Sequence, residues 1–341
     1  MKRAIIALSI LICLGPLARA QAPADGAVPV TVQNFARAES DNYLAVNVKK
    51  AGLGRLAHNR EPASIDDQTV IRLNRDTLYS FGVFDLAAAP VTVALPDVGK
   101  RFMSLMIVNE DHYVPFVAYD TKPHTLTKQN VGTRYVLVAI RTLVDPNDPK
   151  DLDEVHRLQD LIKVSQKEVG KLELPNWDQA SLKEIRETLL VLARHTTSLK
   201  HAFGTKDQVD PINHLIGTAA GWGGNPDKDA TYIAAAPAEN DGATVYRLRI
   251  KDVPVDAFWS VSVYNAAGYF EKNAYNAYSI NSITATKDPG GAVAIQFGGC
   301  DGKILNCLPT VPGWNYTVRL YRPREEILNG SWKFPETQPV N

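Results

Sequence analysis

The spacing of hydrophobic and polar residues changes twice along the chain. Between residues 78 and 140, apolar residues form short runs separated by Gly and Pro, which is typical of antiparallel strands. The strands predicted there are 78–86, 91–95, 102–108, 113–119 and 135–140. A similar pattern returns later, with predicted strands at 231–235, 244–250, 258–264, 277–283, 293–297 and 316–321. Both strand-rich blocks predict a sandwich or a barrel.

The middle of the chain has helical spacing instead. Apolar stripes over 152–169 and 182–203 predict two helices. Ser181–Glu184 is a plausible capping box for the second helix, and Gly204 is a plausible stop. A third, short helix is predicted over 211–220.

Together these elements predict an α+β fold of two antiparallel β-sandwich or barrel-like modules joined by a helical segment. The turn-forming run Asp145–Pro149 is the best boundary. The predicted divisions are an N-terminal helix plus β module over 21–144, a helical connector over 145–225 and a C-terminal β module over 226–341.

The first twenty residues are predicted to be a signal peptide. Lys2 and Arg3 precede an apolar run over 4–14, and Ala18–Ala20 forms a cleavage site of the Ala-x-Ala type. Cleavage after Ala20 would give a periplasmic or secreted protein. Cys13 would leave with the peptide.

Two cysteines remain in the mature chain, Cys300 and Cys307. Nearby cysteines in an exported protein predict a disulfide, which for so short a loop contributes about 2.5 kcal/mol. A pair of buried free thiols is the alternative. A metal site is less favoured because no histidine lies near either cysteine.

Charge and hydropathy exclude several partners. The chain has 37 basic and 37 acidic residues, so no net charge draws it to nucleic acid or to an anionic membrane. No later apolar run approaches the length of about eighteen residues that a membrane span needs. The sequence predicts no nucleic-acid partner and no membrane span, and it leaves the oligomeric state open.

Three strings of residues resemble a known family. They are Asn74–Ser80, Phe258–Asn265 with the following Gly268–Phe270, and Tyr316–Pro323 leading to Gly330–Lys333. In this order they resemble bacterial exported proteins in which domain of unknown function 1254 precedes domain of unknown function 1214. The resemblance implies two β-rich modules around a helical segment. Because that family has no agreed reaction, it implies no catalytic residues.

Standard catalytic motifs are absent from the sequence. It has no nucleophile elbow, no phosphate-binding loop, no His-Glu-x-x-His and no dinucleotide fingerprint after a strand. The histidines are scattered, and His195 and His201 fall on different faces of a helix. The sequence therefore predicts no cofactor and no metal.

Two polar clusters could carry chemistry. In the first, Arg75 suits an anionic group, Asp76 could be a base and Tyr79 a proton donor. The alternative is an Arg75–Asp76 pair that holds the loop against the next module. In the second, Glu110 and His112 are two residues apart, which in an extended segment places both on one face as a general acid/base pair. The alternative is a polar strand end.

Three aromatic residues could line a ligand site. Trp222 lies in a Gly-rich loop that could approach a ligand closely, although a wedge between domains explains it as well. Tyr264 and Tyr278 could line a cleft, or they could pack across strands.

The leading functional hypothesis is an exported hydrolase that acts on a small or oligomeric envelope-side substrate with an anionic group. His112 would be the base, oriented by Glu110, while Arg75 holds the anion. Ligand sites favour domain junctions, so the two clusters and Trp222 are predicted to meet at one. The rival is a non-catalytic periplasmic binding or envelope-scaffold protein.

Overall fold

The computed structural model describes residues 26–68 and 71–340. The predicted signal peptide, its cleavage site and Cys13 lie outside them. The described helices are α1 (Phe35–Ala51), α2 (Lys128–Val131), α3 (Pro149–Asp160), α4 (Gln179–Ala193), α5 (Pro211–Ala220) and α6 (Glu325–Leu328). The strands are β1 (Ala57–His58), β2 (Thr77–Asp85), β3 (Val91–Ala94), β4 (Met103–Asn109), β5 (Val117–Ala118), β6 (His124–Leu126), β7 (Tyr135–Leu143), β8 (Lys163–Gln166), β9 (Ala230–Ala235), β10 (Tyr246–Ile250), β11 (Trp259–Tyr264), β12 (Ser279–Asn281), β13 (Val293–Phe297), β14 (Cys307–Leu308), β15 (Asn315–Tyr321) and β16 (Gln338–Pro339).

The N-terminal module is built on an antiparallel sheet of order β1-β2-β7-β4-β5, called here the large sheet. Nearly every residue of β2, β4 and β7 is buried, because the large sheet is covered on both faces. A three-stranded sheet, β6-β3-β8, packs on one face around Val91, Val93 and Leu105. On the other face, Leu44 of α1 packs against Phe81 and Met106.

Three segments differ from the sequence-based prediction. The helix predicted over 182–203, with Gly204 as its stop, ends at Ala193. The helix predicted over 152–169 ends at Asp160, because residues 163–166 alternate between exposed and half-buried and pair with β3 as strand β8. The connector region therefore contributes a strand to the N-terminal module. The strand predicted over 113–119 is reduced to β5, since the backbone turns at Asn109–Tyr113.

Helices α1, α4 and α5 pack together beside the large sheet. Their shared core includes Phe35, Leu182, Leu189 and Ile216. The cap of α4 is Asp178, whose carboxylate accepts from the Ser181 N–H, so the predicted cap at Ser181 is displaced by three residues.

The C-terminal module is a sandwich of two sheets, β14-β13-β10-β16 and β12-β11-β15-β9. In β10, buried and exposed residues alternate, so one face meets the core and the other meets solvent. In β11 every residue is buried, because its second face meets the N-terminal module. The α+β prediction is confirmed, and the sheets stay open rather than closing into barrels.

The predicted disulfide between Cys300 and Cys307 is confirmed, with the two Cα atoms 5.7 Å apart. It ties the start of β14 to the loop after β13. Within residues 26–68 and 71–340, no helix has the length and apolar character needed to cross a membrane.

Strand register places polar residues where the two modules meet. On the large sheet, Tyr79, Arg141 and Ser104 lie directly opposite one another on three adjacent strands. On the C-terminal sheet, Ser260 and Tyr232 flank Arg319 in the same way. Residues in register share a face of a sheet, so each module presents a polar row. We call these two rows, with Asn74, Asp76 and Tyr321, the polar seam.

Candidate functional site

Arg141 is the central cation of the polar seam. It is 7 % exposed and lies two residues before the end of β7. Its Nη2 donates to the Gly223 carbonyl at 2.8 Å, and its Nη1 donates to Asn225 Oδ1 at 3.3 Å and contacts Met106 Sδ at 3.6 Å. Its guanidinium also lies 5.4 Å from the centre of the Tyr79 ring. No carboxylate of the described residues lies within 4.0 Å of it, although a buried charge is costly unless it is paired.

Hydrogen-bond donors gather around Arg141. The Asn74 side-chain amide donates to Tyr79 Oη at 3.2 Å and to Tyr321 Oη at 3.1 Å. Each phenol oxygen thus accepts from the same amide nitrogen. Arg141 donates to Asn225 Oδ1, to the Gly223 carbonyl and to the Tyr79 side chain, which leaves part of its five N–H groups for a ligand. The site is rich in donors and poor in acceptors, which favours an anionic or acceptor ligand.

The pKa values of the Tyr79 and Tyr321 phenols are shifted in opposite directions. Burial alone would raise the pKa of Tyr79, but the Arg141 guanidinium and the Asn74 hydrogen bond lower it below its usual value. The pKa of Tyr321 is raised well above its usual value by burial and by the nearby Tyr232 and Tyr79. Strongly perturbed groups concentrate at functional sites, and here they lie side by side.

Arg319, the cation of the second row, makes four hydrogen bonds to the protein. It donates to Ser262 Oγ at 2.8 Å, to Tyr264 Oη at 2.7 Å and to the carbonyls of Arg72 and Leu73 at 2.8 and 3.2 Å. These bonds hold the loop before β2 against the C-terminal sheet. Arg319 therefore joins the modules, whereas Arg141 bonds to residues 223 and 225 of the loop before β9.

Asp76 also joins the modules, but not through Arg75. Its Oδ1 accepts from Ser279 Oγ at 2.7 Å and from Asn281 Nδ2 at 3.1 Å. The Arg75 guanidinium instead donates to the Ala63 carbonyl and lies 5.3 Å from the centre of the Tyr278 ring. The Arg75–Asp76 ion pair weighed from the sequence is thus not formed.

One carboxylate oxygen in this region has no partner. Asp76 is 1 % exposed, and its Oδ2 makes no hydrogen bond. Ser260 Oγ and Ser104 Oγ are likewise buried without a partner. Buried polar atoms are nearly always hydrogen-bonded, so these three oxygen atoms are available to a water molecule or to a ligand.

Tyr264 and Tyr278 line only a very small cavity. Its volume of about 10 Å³ is close to the minimum for a single water molecule. The Tyr264 hydroxyl also donates to the Leu73 carbonyl at 2.8 Å. Both residues therefore lie beside the polar seam, where they pack loop and sheet together.

His112 occupies a fully buried turn rather than a strand end. Its φ of 64° lies in the left-handed region, which is uncommon for a residue other than Gly. The imidazole Nδ1 bonds to Thr218 Oγ1 at 2.8 Å, while Nε2 accepts from the Gly223 N–H at 2.8 Å. The ring must therefore be neutral with its proton on Nδ1. Burial and the neighbouring His214 hold the pKa of His112 well below its usual value.

Glu110 does not contact His112. Its Oε2 accepts from the Tyr135 N–H at 2.8 Å, and Arg37 lies 3.7 Å from its Oε1. The predicted side-by-side placement fails because it assumed an extended segment, whereas His112 turns back in the left-handed region. The prediction that Glu110 orients His112 as a general acid/base pair is therefore wrong, because the two side chains bond to different partners.

Trp222 packs against the His112 ring, with the ring centres 5.3 Å apart. Its other neighbour is Tyr43 of α1, at 4.4 Å, and its Nε1 donates to Ser40 Oγ at 3.0 Å. The next residue connects the two predicted clusters, because the Gly223 N–H bonds to His112 and its carbonyl accepts from Arg141. His112 and Trp222 are therefore in contact. The Asn74 loop is linked to them through Tyr79, Arg141 and the Gly223 backbone.

A groove that sequence reasoning missed adjoins the seam. It has a volume of about 560 Å³ and is lined by residues 116–120 and His124. Tyr119 is linked to the seam through Phe102, whose ring centre lies 5.9 Å from that of Tyr119 and 5.4 Å from that of Tyr321. Arg141 could have been identified from the sequence as a candidate site residue, because a charged residue inside the apolar run of β7 needs a buried partner.

Comparison with known families identifies both modules. Residues 53–129 match the protein of unknown function DUF1254, and residues 230–325 match the protein of unknown function DUF1214. The chain is a DUF1254–DUF1214 protein. The first match includes Asp76 and Tyr79, and the second includes Arg319 and Tyr321. Arg141 lies between the two matches.

Two solved structures share the fold of this DUF1254–DUF1214 protein. The VPA0106 protein from Vibrio parahaemolyticus is 18 % identical, with a TM-score of 0.67 over 91 % of this chain and 98 % of the other. An uncharacterized protein from Burkholderia cenocepacia is 13 % identical, with a TM-score of 0.51 over 91 % and 87 %. At this identity the likeness concerns the fold alone. A comparison with curated proteins gave no match.

Proposed function

We propose that this DUF1254–DUF1214 protein binds a small molecule with a carboxylate or similar anionic group in the polar seam. Arg141 would hold the anion, and the hydroxyls of Tyr79 and Tyr321 would donate to it. The observation that carries the proposal is the buried Arg141 guanidinium, which has no carboxylate within 4.0 Å among the described residues and retains free donors.

Electrostatics favour this occupant. A hydrogen bond to a charged group contributes about 1.5–3 kcal/mol, roughly twice a neutral one. An anion beside Arg141 would also offset the cost of burying that cation, which is several kcal/mol when the charge is unpaired. The donors come from both modules, and ligand sites favour such junctions. Tyr232, which is 43 % exposed and whose hydroxyl accepts from Asn225 Nδ2, marks where the seam reaches the surface.

This proposal follows the binding alternative rather than the hydrolase hypothesis. A hydrolase that used His112 would need an imidazole able to reach substrate and take up a proton. Both nitrogens of His112 are engaged, and the side chain is buried. Hydrolysis stays a prediction that none of these contacts favours. The disulfide fits an oxidising compartment, so we propose that binding takes place outside the cytoplasm.

Calorimetric titration with small anions tests the proposal. The probes are acetate, butyrate, hexanoate, inorganic phosphate and sulfate, added to wild type, to Arg141→Met and to Tyr79→Phe. Arg134→Met is the matched control, because Arg134 lies beside the same strand but is paired with Asp85 and Glu173.

We expect at least one anion to bind wild type and the control equally. Arg141→Met should weaken that binding by tenfold or more, and Tyr79→Phe by a smaller factor. Thermal melting of each variant checks that it is folded. Equal binding by wild type and a folded Arg141→Met, or no binding by any probe, would contradict the proposal.

A further inference from the structure

The polar seam has a second, acceptor-bearing end. Asp76 Oδ1 is held by Asn281, and Ser260 lies opposite Asn281 on the neighbouring strand. Residues directly opposite in antiparallel strands have Cβ atoms about 5 Å apart, so Asp76 and Ser260 flank the same amide. Asp76 Oδ2 and Ser260 Oγ are both buried and both lack a partner. At this end Asp76 Oδ2 can accept a hydrogen bond from a ligand, and the Ser260 hydroxyl can donate one to it.

The two ends are continuous through shared contacts. The Asn74 side chain bonds to Tyr79 and Tyr321 at the Arg141 end, and its Oδ1 accepts from the Asp76 N–H at 2.9 Å. Asp76 lies at a bend just before β2, and the Asn74 amide connects its N–H to Tyr79 Oη. A ligand with two polar groups is therefore needed to engage both ends.

The charge at the second end limits what the ligand can present there. The Arg75 guanidinium and Arg319 lie close to Asp76, and Asp76 is among the neighbours that raise the pKa of each arginine against the lowering effect of burial. Two cations disfavour a ligand ammonium. A hydroxyl avoids that repulsion, can donate to Asp76 Oδ2 and can exchange a hydrogen bond with Ser260 Oγ.

We infer that the ligand is a hydroxycarboxylic acid, with its carboxylate at Arg141 and its hydroxyl between Asp76 and Ser260. This inference rests on the proposed function, and it adds the chemical class of the ligand. It is carried by two unpartnered buried oxygen atoms, Asp76 Oδ2 and Ser260 Oγ, which belong to the same polar seam as the buried Arg141 guanidinium.

The experiment compares three matched series of straight-chain acids with four to eight carbons. They are the plain carboxylates, the ω-hydroxycarboxylates and the ω-aminocarboxylates, each titrated calorimetrically into the folded mature protein. In wild type, at one chain length the ω-hydroxy acid should bind about tenfold more tightly than the plain acid. The ω-amino acid should gain nothing.

Ser260→Ala is the decisive variant, because it removes an oxygen without a protein partner and should leave folding intact. We expect it to lower the hydroxyl preference at least threefold, and Asp76→Asn to lower it further. Thr142→Val is the matched control, since Thr142 Oγ1 is also buried without a partner but Thr142 lies opposite Leu78 and Met103 on the other face of the large sheet. The control should keep the wild-type preference.

The outcomes separate this inference from the proposed function. If plain and hydroxylated acids bind equally and both depend on Arg141, the hydroxy-acid inference is wrong and the anion site stands. If the preference exists but survives Ser260→Ala in full, the placement of the hydroxyl is wrong. If no acid in any series binds, both proposals are overturned.

Discussion

Replacing His112 with Ala tests whether this residue is structural. The imidazole connects three parts of the molecule, because its Nδ1 bonds to Thr218 of α5, its Nε2 to the Gly223 loop, and its ring packs on Trp222. His112→Ala would leave the Gly223 N–H without its acceptor. A structural His112 should therefore destabilise the fold when removed, whereas a catalytic one should leave stability nearly unchanged.

The expected loss can be worked out from these contacts. Leaving a buried donor without a partner costs about 1–3 kcal/mol, and a buried large-to-small replacement adds about 2 kcal/mol or more. The left-handed φ of 64° at position 112 favours neither His nor Ala strongly, so it adds little to the difference in free energy of unfolding between wild type and His112→Ala. We expect a total loss of about 4 kcal/mol, at the upper end of what single substitutions usually cause.

Acid should reduce the difference between the two proteins. The pKa of His112 is well below its usual value in the folded state, so below pH 6.5 the unfolded chain binds a proton that the folded chain does not. As the pH falls, the free energy of unfolding of wild type then decreases by up to about 1.4 kcal/mol per pH unit until the pH reaches the pKa of His112 in the folded state. His112→Ala lacks this loss, so its deficit should shrink between pH 7 and pH 5.

Urea unfolding followed by tryptophan fluorescence at pH 7 and pH 5 measures both effects. His195→Ala is the control, since His195 is exposed on the protein surface. A free energy of unfolding for His112→Ala within 1 kcal/mol of wild type at pH 7 would refute the structural assignment. It would return His112 to the list of candidate bases.

Three further predictions concern other parts of the molecule. Burial raises the pKa of Asp41 to about 6, so ionisation of this carboxyl lowers the free energy of unfolding as the pH rises from 3.8 to 6. Asp41→Asn can still accept from Trp177 and should raise the free energy of unfolding by about 2 kcal/mol at pH 7 but not at pH 4. Equal unfolding curves at pH 7 would contradict this. Cys300→Ser should lower the free energy of unfolding by about 2.5 kcal/mol under oxidising conditions only, and a similar loss in reducing buffer would show another cause. Because Arg141 lowers the pKa of Tyr79, Tyr79→Phe should remove the earliest-ionising phenol from an absorbance titration, whereas an unchanged titration curve would show that another tyrosine ionises first.

The sequence determined the strand segments with small errors, because period and turn residues are local signals. The predicted strands 78–86 and 316–321 correspond to β2 at Thr77–Asp85 and β15 at Asn315–Tyr321. The disulfide also followed from two nearby cysteines and the predicted compartment. The end of the first connector helix was predicted wrongly. Its apolar stripe continues into β8, which is a strand because it pairs with β3, a segment far away in the sequence.

Only the tertiary structure decided the site. Arg141 lies in an apolar strand, and its neighbours Tyr79 and Ser104 are brought opposite it by a strand register that no local pattern encodes. His112 and Glu110 are close in sequence, yet one left-handed residue sends them to different partners. Local patterns fix which segments become strands and helices. Register and the docking of the two modules decide which polar atoms meet, because those depend on contacts between residues distant in the chain.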